Sequence, residues 1–267
     1  MLLSRKRAMA EQRMLGRGET EMFAEGRAPA LLAFHGFGGT VAELRPVLDA
    51  VAGAGVAVDA ALLPGHGTRV EHLQEQTFDT WVDASRRRMA TVALRHGRFV
   101  LFGFSLGSLI AMQLAAEHPE GLAGLVVLGS AVTLHPVMNV PFALWERLGR
   151  DLPDAYLRKP QPGNLIDASA MDSLVTYDLN PIRAAHQVYL AGARVRAVAG
   201  RILCPTLVLH GRHDRVCPWK NALWVTEHLG TRDVRVRILE RSAHVVCCDG
   251  ERAEVSRETL AFLDRFV

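Results

Sequence analysis

Short runs of branched and aliphatic residues recur along the chain, at residues 30–34, 56–63, 99–103, 125–128, 206–210 and 234–239. Longer stretches of helical periodicity fall between them, at residues 41–54, 78–96, 107–117 and 219–229. This alternation predicts an α/β protein whose mostly parallel sheet carries helices on both faces, a doubly wound arrangement. Residues 17–29 predict an additional antiparallel hairpin at one edge.

One interval breaks the rhythm. Between the strand ending near Leu128 and the strand beginning near Thr206 no strand pattern stands out. A proline-rich middle, residues 153–162, separates an apolar helix-like stretch around Phe142, Trp145 and Leu148 from a later one through Ile182, Val188, Tyr189 and Val195. The interval reads as a small helical cap, residues 135–200, inserted after the sixth strand. Residues 1–134 and 201–267 then form one core, and the cap lies over the carboxyl ends of the strands, where open α/β sheets bind ligands. Most of its apolar residues serve to attach it to the body, and a few line a pocket. A length of 267 residues with 49% hydrophobic content suits one sizeable core.

Charge changes the picture little. The 31 basic and 28 acidic residues interleave, and the formal net charge is +3. The densest basic run, Arg86-Arg87-Arg88, lies in a helical stretch and reads as a solvated face, so nucleic acid is not an expected partner. Cys204, Cys217, Cys247 and Cys248 show no Cys-x-x-Cys spacing, and the adjacent pair is hard to bridge, which points to free thiols in a reducing compartment. Arg5-Lys6-Arg7 is not followed by an apolar stretch of export-signal length, and runs such as residues 122–128 fall well short of the roughly 20 residues that span a bilayer. The expectation is a cytoplasmic monomer or homodimer without stable membrane insertion.

The candidate chemistry sits at the ends of the predicted strands. Gly103-Phe104-Ser105-Leu106-Gly107 follows an apolar strand and opens a helix, the setting of a nucleophile elbow. A sharp turn there strains the serine backbone and demands small neighbours two positions either side, and both are glycine. A serine hydroxyl needs a base, and an imidazole needs a carboxylate to hold its tautomer. Downstream, Asp214 follows one strand and His244 the next, giving the order Ser, Asp, His at successive strand ends. His213 is a rival base, and Asp178 and Asp249 are rival acids. His213 is the weaker base because it adjoins the acid on the same turn. His210 and His228 read as structural, as do His35 and His66, whose spacing does not suggest a metal site. Oxyanion donors are expected from the amide of Leu106 and, in the glycine-rich loop 35–39, from the amide of Phe37. Candidate substrate contacts are Phe37, Phe142, Trp145, Val216 and Val245. No metal or organic cofactor is called for.

Together the motifs His35-Gly36-Phe37-Gly38-Gly39, Leu63-Pro64-Gly65-His66-Gly67, Gly103-Phe104-Ser105-Leu106-Gly107, Gly211-Arg212-His213-Asp214 and Ser242-Ala243-His244-Val245-Val246 resemble the α/β-hydrolases, most of all the bacterial carboxylesterase and monoacylglycerol lipase branch with a small cap. The resemblance spans about residues 28–267 and is weakest in the cap. It implies a triad of Ser105, Asp214 and His244, oxyanion amides at Phe37 and Leu106, and carboxylic esters as small-molecule substrates. Ser108 departs from that branch, which commonly has a second glycine after the elbow. Carbon–carbon bond hydrolysis, lactone hydrolysis and acyl transfer on the same triad, or ligand binding without catalysis, are the competing functions. Dehalogenase and epoxide hydrolase chemistry would call for an aspartate at position 105. For an esterase, the cap favours short to medium acyl chains, with monoacylglycerols among the candidate substrates.

Overall fold

A computed structural model describes residues 1–4, 14–15, 21–149, 151–159 and 164–267. Seven strands form the central sheet: β1 (Met22–Ala24), β2 (Arg27–Phe34), β3 (Val56–Ala60), β4 (Phe99–Phe104), β5 (Leu122–Leu128), β6 (Thr206–Gly211) and β7 (Val234–Leu239). Their order across the sheet is β7-β6-β5-β4-β2-β3-β1, and every pairing is parallel except that of β1 with β3. Six residues of β4 and six of β6 are all buried, which is why β4 is apolar throughout and β6 departs from that only at Thr206 and His210. Successive side chains feed opposite cores: Phe99 and Leu101 enter one cluster, Val100 and Phe102 the other. The edge strand β7 instead exposes Arg235 and Arg237, charges that discourage pairing with another sheet.

The first core is covered by α2 (Phe78–His96) and α3 (Leu106–Ala115), which contribute Trp81, Val92, Leu109 and Met112. The second is covered by α1 (Arg45–Gly53) and by the C-terminal helix Arg252–Leu263, through Val47, Leu48, Val51, Val255 and Phe262. Helix α2 begins where the Thr77 hydroxyl accepts from Thr80 N and the Thr80 hydroxyl accepts from Thr77 N, a reciprocal cap, and it stops at Gly97, φ 70°.

Two expectations need correction. The described part of the hairpin expected at residues 17–29 does not pair with itself: β1 pairs with β3, and β2 is the first parallel strand. Residues 17–20 of the expected hairpin lie outside the described residues. As a result, β5, the strand before the insertion, is fifth and not sixth in the central sheet among the described residues. Nor is the insertion purely helical. It holds α4 (Pro136–Leu148) and α5 (Ile182–Val198), but also strands at Ala155–Arg158, Thr176–Tyr177 and Leu179–Pro181. Ala155–Arg158 pairs antiparallel with both Leu179–Pro181 and Leu2–Ser4, and Thr176–Tyr177 pairs with Met14–Leu15. These strands hold two to four residues each and pair across long sequence separations, too short for a period-two pattern to register. Helix α5 docks closely on the body, since a Cβ on Gly192 would lie 2.7 Å from the Val132 carbonyl oxygen.

Candidate active site

Ser105 stands between β4 and α3 with φ 54° and ψ −115°, a conformation most side chains avoid. The flanking glycines permit it. A Cβ at Gly103 would lie 2.2 Å from the Gly107 carbonyl oxygen, and one at Gly107 would lie 2.0 Å from that of Phe34. The turn is tied down by Ser105 N donating to Leu128 O at 2.9 Å. Ser108, where a glycine was the more usual residue, is fully buried, and its hydroxyl donates to Ser105 O at 2.6 Å. The elbow thus gains a hydrogen bond where the helix could have lost packing.

From Ser105 a line of hydrogen bonds crosses to the loops after β6 and β7. Ser105 Oγ lies 3.0 Å from His244 Nε2, and His244 Nδ1 lies 2.7 Å from Asp214 Oδ2. Asp214 is an ionised acceptor with a full complement of donors: Val216 N and Cys217 N, each 2.8 Å from Oδ1, and His210 Nε2, 3.0 Å from Oδ2. Burial alone pushes its pKa up. The charge of His244 and the hydrogen bonds from both histidines outweigh burial, and the carboxyl is held well below its ordinary range. An acceptor-only carboxylate requires His244 to carry its proton on Nδ1, which leaves Nε2 to accept from Ser105.

The rival residues lie elsewhere. His213 is exposed beside a polar cavity of about 380 Å³ shared with Asn164 and Arg215. Asp178 pairs with Arg158, and Asp249 accepts the amides of Ile166, Asp167, Ala243 and Gly250. Asp214, Cys217 and His244 place potential metal ligands within 4.8 Å of one another, but their carboxylate and imidazole are already committed to the line ending at Ser105.

Behind Ser105 lies the loop that follows β2. His35 Nε2 accepts from Leu63 N at 3.0 Å, so Nδ1 carries the proton and donates to Gly36 O at 2.9 Å. Burial pushes this imidazole down to about 4, so it is neutral near pH 7. Because a trans peptide points its C=O and N–H in opposite directions, anchoring the Gly36 carbonyl also sets the direction of the Phe37 amide. Gly36 N donates to the Glu43 carboxylate. Outside regular helix and strand ladders, neither the Phe37 nor the Leu106 amide meets a protein acceptor among the described residues.

The proposed substrate contacts do not converge on one wall. The Phe37 ring packs edge-on against His66 and Trp81, with centroids 6.3 and 6.2 Å away, and so serves the core. Phe142 packs on His186 and Tyr189 inside the insertion. Trp145 donates from Nε1 to Asp151 O, Val245 is buried in the second core, and Leu148 is 54% exposed. Val216 is half-buried, and its amide is spent on Asp214. Helix α4 buries no residue fully and turns Val137, Val140, Leu144 and Leu148 to solvent.

Two contributors carried no motif. Asn164, in the insertion with φ 45°, accepts from Arg215 N and His244 N through Oδ1, both at 3.2 Å, and from His244 N through its carbonyl at 3.0 Å. It thereby bridges the acid and base loops. His210, expected to be structural, shares Asp214 Oδ2 with His244. Its spacing of four residues from Asp214 was the available signal.

A parallel sheet whose strand ends carry a strained serine, an imidazole and a buried carboxylate defines an α/β-hydrolase of the serine hydrolase class. Residues 27–251 match the family model described as serine aminopeptidase, S33, and the chain belongs to that family. It is 26% identical over 261 residues to a thermostable monoacylglycerol lipase of Bacillus sp. (strain H-257), covering 95% of this chain and 98% of the relative. It is 27% identical over 241 residues to a 2-hydroxymuconate semialdehyde hydrolase of Pseudomonas sp. (strain CF600), covering 81% of each. A solved structure from work on two metagenome-derived lipolytic enzymes, LipS and LipT, superposes with a TM-score of 0.82 at 23% identity, covering 94% of this chain and 99% of that one. Carboxylic ester hydrolases are thus prominent among its relatives. No helix among the described residues is long and apolar enough to cross a membrane.

Proposed function

We propose that the protein is a serine carboxylesterase acting on short- to medium-chain esters, monoacylglycerols among them, through an acyl-enzyme on Ser105. The observation that carries this reading is the continuous line Ser105 Oγ, His244 Nε2, His244 Nδ1, Asp214 Oδ2, with links of 3.0 and 2.7 Å. His244 takes the hydroxyl proton as Ser105 Oγ attacks the ester carbonyl, and buried Asp214 stabilises the imidazolium that forms. The carbonyl oxygen becomes an oxyanion held by the amides of Phe37 and Leu106, each such donor being worth about 3 kcal/mol. The amino end of α3 adds its dipole at the same point. His244 returns the proton to the departing alcohol, and water, deprotonated by the same imidazole, releases the acid.

The insertion supplies the roof. Each methylene it shields adds about 0.8 kcal/mol, so kcat/KM rises with acyl length until the sheltered space is full. The test is kcat/KM for p-nitrophenyl esters of two to sixteen carbons, run beside fluorophosphonate labelling. Labelling at Ser105 with an optimum at short or medium length is expected. An optimum at the longest chains refutes the chain-length part, and labelling elsewhere refutes the nucleophile.

A second reading is carbon–carbon bond hydrolysis on the same three residues, favoured by the likeness to the Pseudomonas hydrolase. Its test is turnover of 2-hydroxymuconate semialdehyde. A kcat/KM above that for every ester would put this reading first.

A further inference from the structure

The proposed mechanism uses the oxyanion loop but leaves a cluster of charged and polar groups packed against it unexplained: Glu43, Lys159 and Thr176. Two of the three come from the insertion. Thr176 Oγ1 donates to Gly38 O at 2.8 Å, and Tyr177 N donates to the same carbonyl at 2.8 Å. The Lys159 amine in turn donates to Thr176 Oγ1 at 2.9 Å, and a Cβ on Gly38 would lie 3.2 Å from that amine. Two residues beyond Gly38, the Thr40 hydroxyl donates to Val175 O at 3.0 Å. On the body side, Glu43 accepts Gly36 N, and it sits so close beneath the loop that a Cβ on Gly39 would lie 2.3 Å from its carboxylate.

Phe37 therefore stands between two anchors. Upstream, Gly36 is held through both its N–H and its C=O by residues of the body. Downstream, the Gly38 carbonyl is held by the insertion, through an ammonium-to-hydroxyl-to-carbonyl chain in which each bond polarises the next. Gly38 has φ 73° and no side chain to restrain it, so without that hold its peptide has several accessible orientations.

We propose that Thr176 and Lys159 are positioning residues for the oxyanion amide of Phe37, so that the insertion forms part of the catalytic apparatus as well as a roof over it. This rests on the reading of Ser105 as nucleophile and Phe37 N as an oxyanion donor. An oxyanion donor acts only on charge that develops in the transition state, so loosening it lowers kcat and leaves ground-state binding alone.

The test compares Thr176→Val, Thr176→Ser and Lys159→Met with the parent protein on p-nitrophenyl butyrate, after fluorophosphonate labelling has located the reactive serine. Thr176→Val removes the hydroxyl at nearly constant volume, and it should lower kcat about tenfold to a hundredfold with KM within about threefold. Thr176→Ser should restore kcat to within about threefold of the parent, and Lys159→Met should lower kcat in the same direction by a smaller factor. Folded Thr176→Val with parental kcat overturns the proposal, as does a loss confined to KM, or a serine variant as impaired as valine. If Thr176→Val does not fold, Lys159→Met decides, and parental kcat there overturns it. Absence of label on Ser105 instead overturns the underlying reading and the proposal with it, whereas label on Ser105 with unimpaired variants overturns the positioning role alone.

Discussion

Asp214→Asn isolates what the buried carboxylate does. Its two oxygens meet four donors and no acceptor: Val216 N, Cys217 N, His210 Nε2 and His244 Nδ1, at 2.7 to 3.0 Å. Asparagine keeps one acceptor oxygen and replaces the other with an NH2 group. With the oxygen towards the two backbone amides, the NH2 faces His244, whose Nδ1 must then accept. The imidazole proton moves to Nε2, the atom facing Ser105 Oγ, and the base is lost. With the amide flipped, the NH2 meets two backbone N–H groups that cannot change their protonation. The first arrangement costs least, so the variant folds with the wrong tautomer. The expected loss in kcat is about a thousandfold to ten-thousandfold, the size that a misheld tautomer produces in this class of site. Stability should also fall, since bonds to a charged acceptor contribute about 1.5–3 kcal/mol each and those made here now meet a neutral amide. The assay is steady-state hydrolysis of p-nitrophenyl butyrate together with a urea melt. A kcat within tenfold of the parent, from a protein that melts normally, would refute the tautomer argument and return Asp178 to consideration.

Other outcomes follow from the same geometry. Ser105→Ala and His244→Ala should each remove nearly all turnover while leaving the fold intact, and the double variant should be little worse than either, because the members act as a unit; additive losses would refute that coupling. Gly107→Ala places a Cβ 2.0 Å from the Phe34 carbonyl oxygen and should destabilise by about 3 kcal/mol or more, as core overpacking does, measured by thermal melt. Burial pushes Glu43 up from 4.5 to about 7. A raised carboxyl favours the fold in its neutral form, so this contribution is complete below about pH 4.5 and is lost as pH rises through about 7. Glu43→Gln should therefore flatten Tm against pH across that window, and an unchanged slope would show that Glu43 does not titrate there.

The sheet was legible because its physics is local. Strands buried on both faces must be mostly apolar, and helices that cover them must repeat every three to four residues, so β2, β4 and β6 and helix α2 could be read from short windows. The elbow was legible for a related reason: backbone strain at Ser105 demands glycine at 103 and 107 whatever the rest of the chain does. The insertion obeys no such local rule. Two of its strands have partners more than a hundred residues away in sequence, as in the pairing of Leu3 with Tyr156, and their burial comes from those partners and not from an intrinsic pattern. The edge strand β1 did not fit the expected hairpin for the same reason, its partner being β3 and not its neighbour in sequence.

The residues that escaped the sequence reading share one property, and it concerns where a fold stores its precision. Ser105, Asp214 and His244 are reactive types at strand ends, and strand ends can be read from a sequence. What aims them is less distinctive. Asn164 holds two loops by accepting amides that any Asn, Asp or Ser could accept, and only its placement in a left-handed conformation between those loops gives it the task. Thr176 and Lys159 look like an ordinary threonine and a surface lysine until the insertion folds back and brings them onto the Gly38 carbonyl. His210 looks like a strand-end histidine until β6 sets it within 3.0 Å of Asp214. The proposed reacting groups are thus encoded by residue type and local strain, whereas their proposed alignment is encoded by contacts between segments far apart in sequence. Alignment to fractions of an ångström separates an efficient esterase from a weak one. Variation in the insertion should therefore alter rate as well as substrate choice, through Asn164 and Thr176, even where it leaves Ser105, Asp214 and His244 untouched.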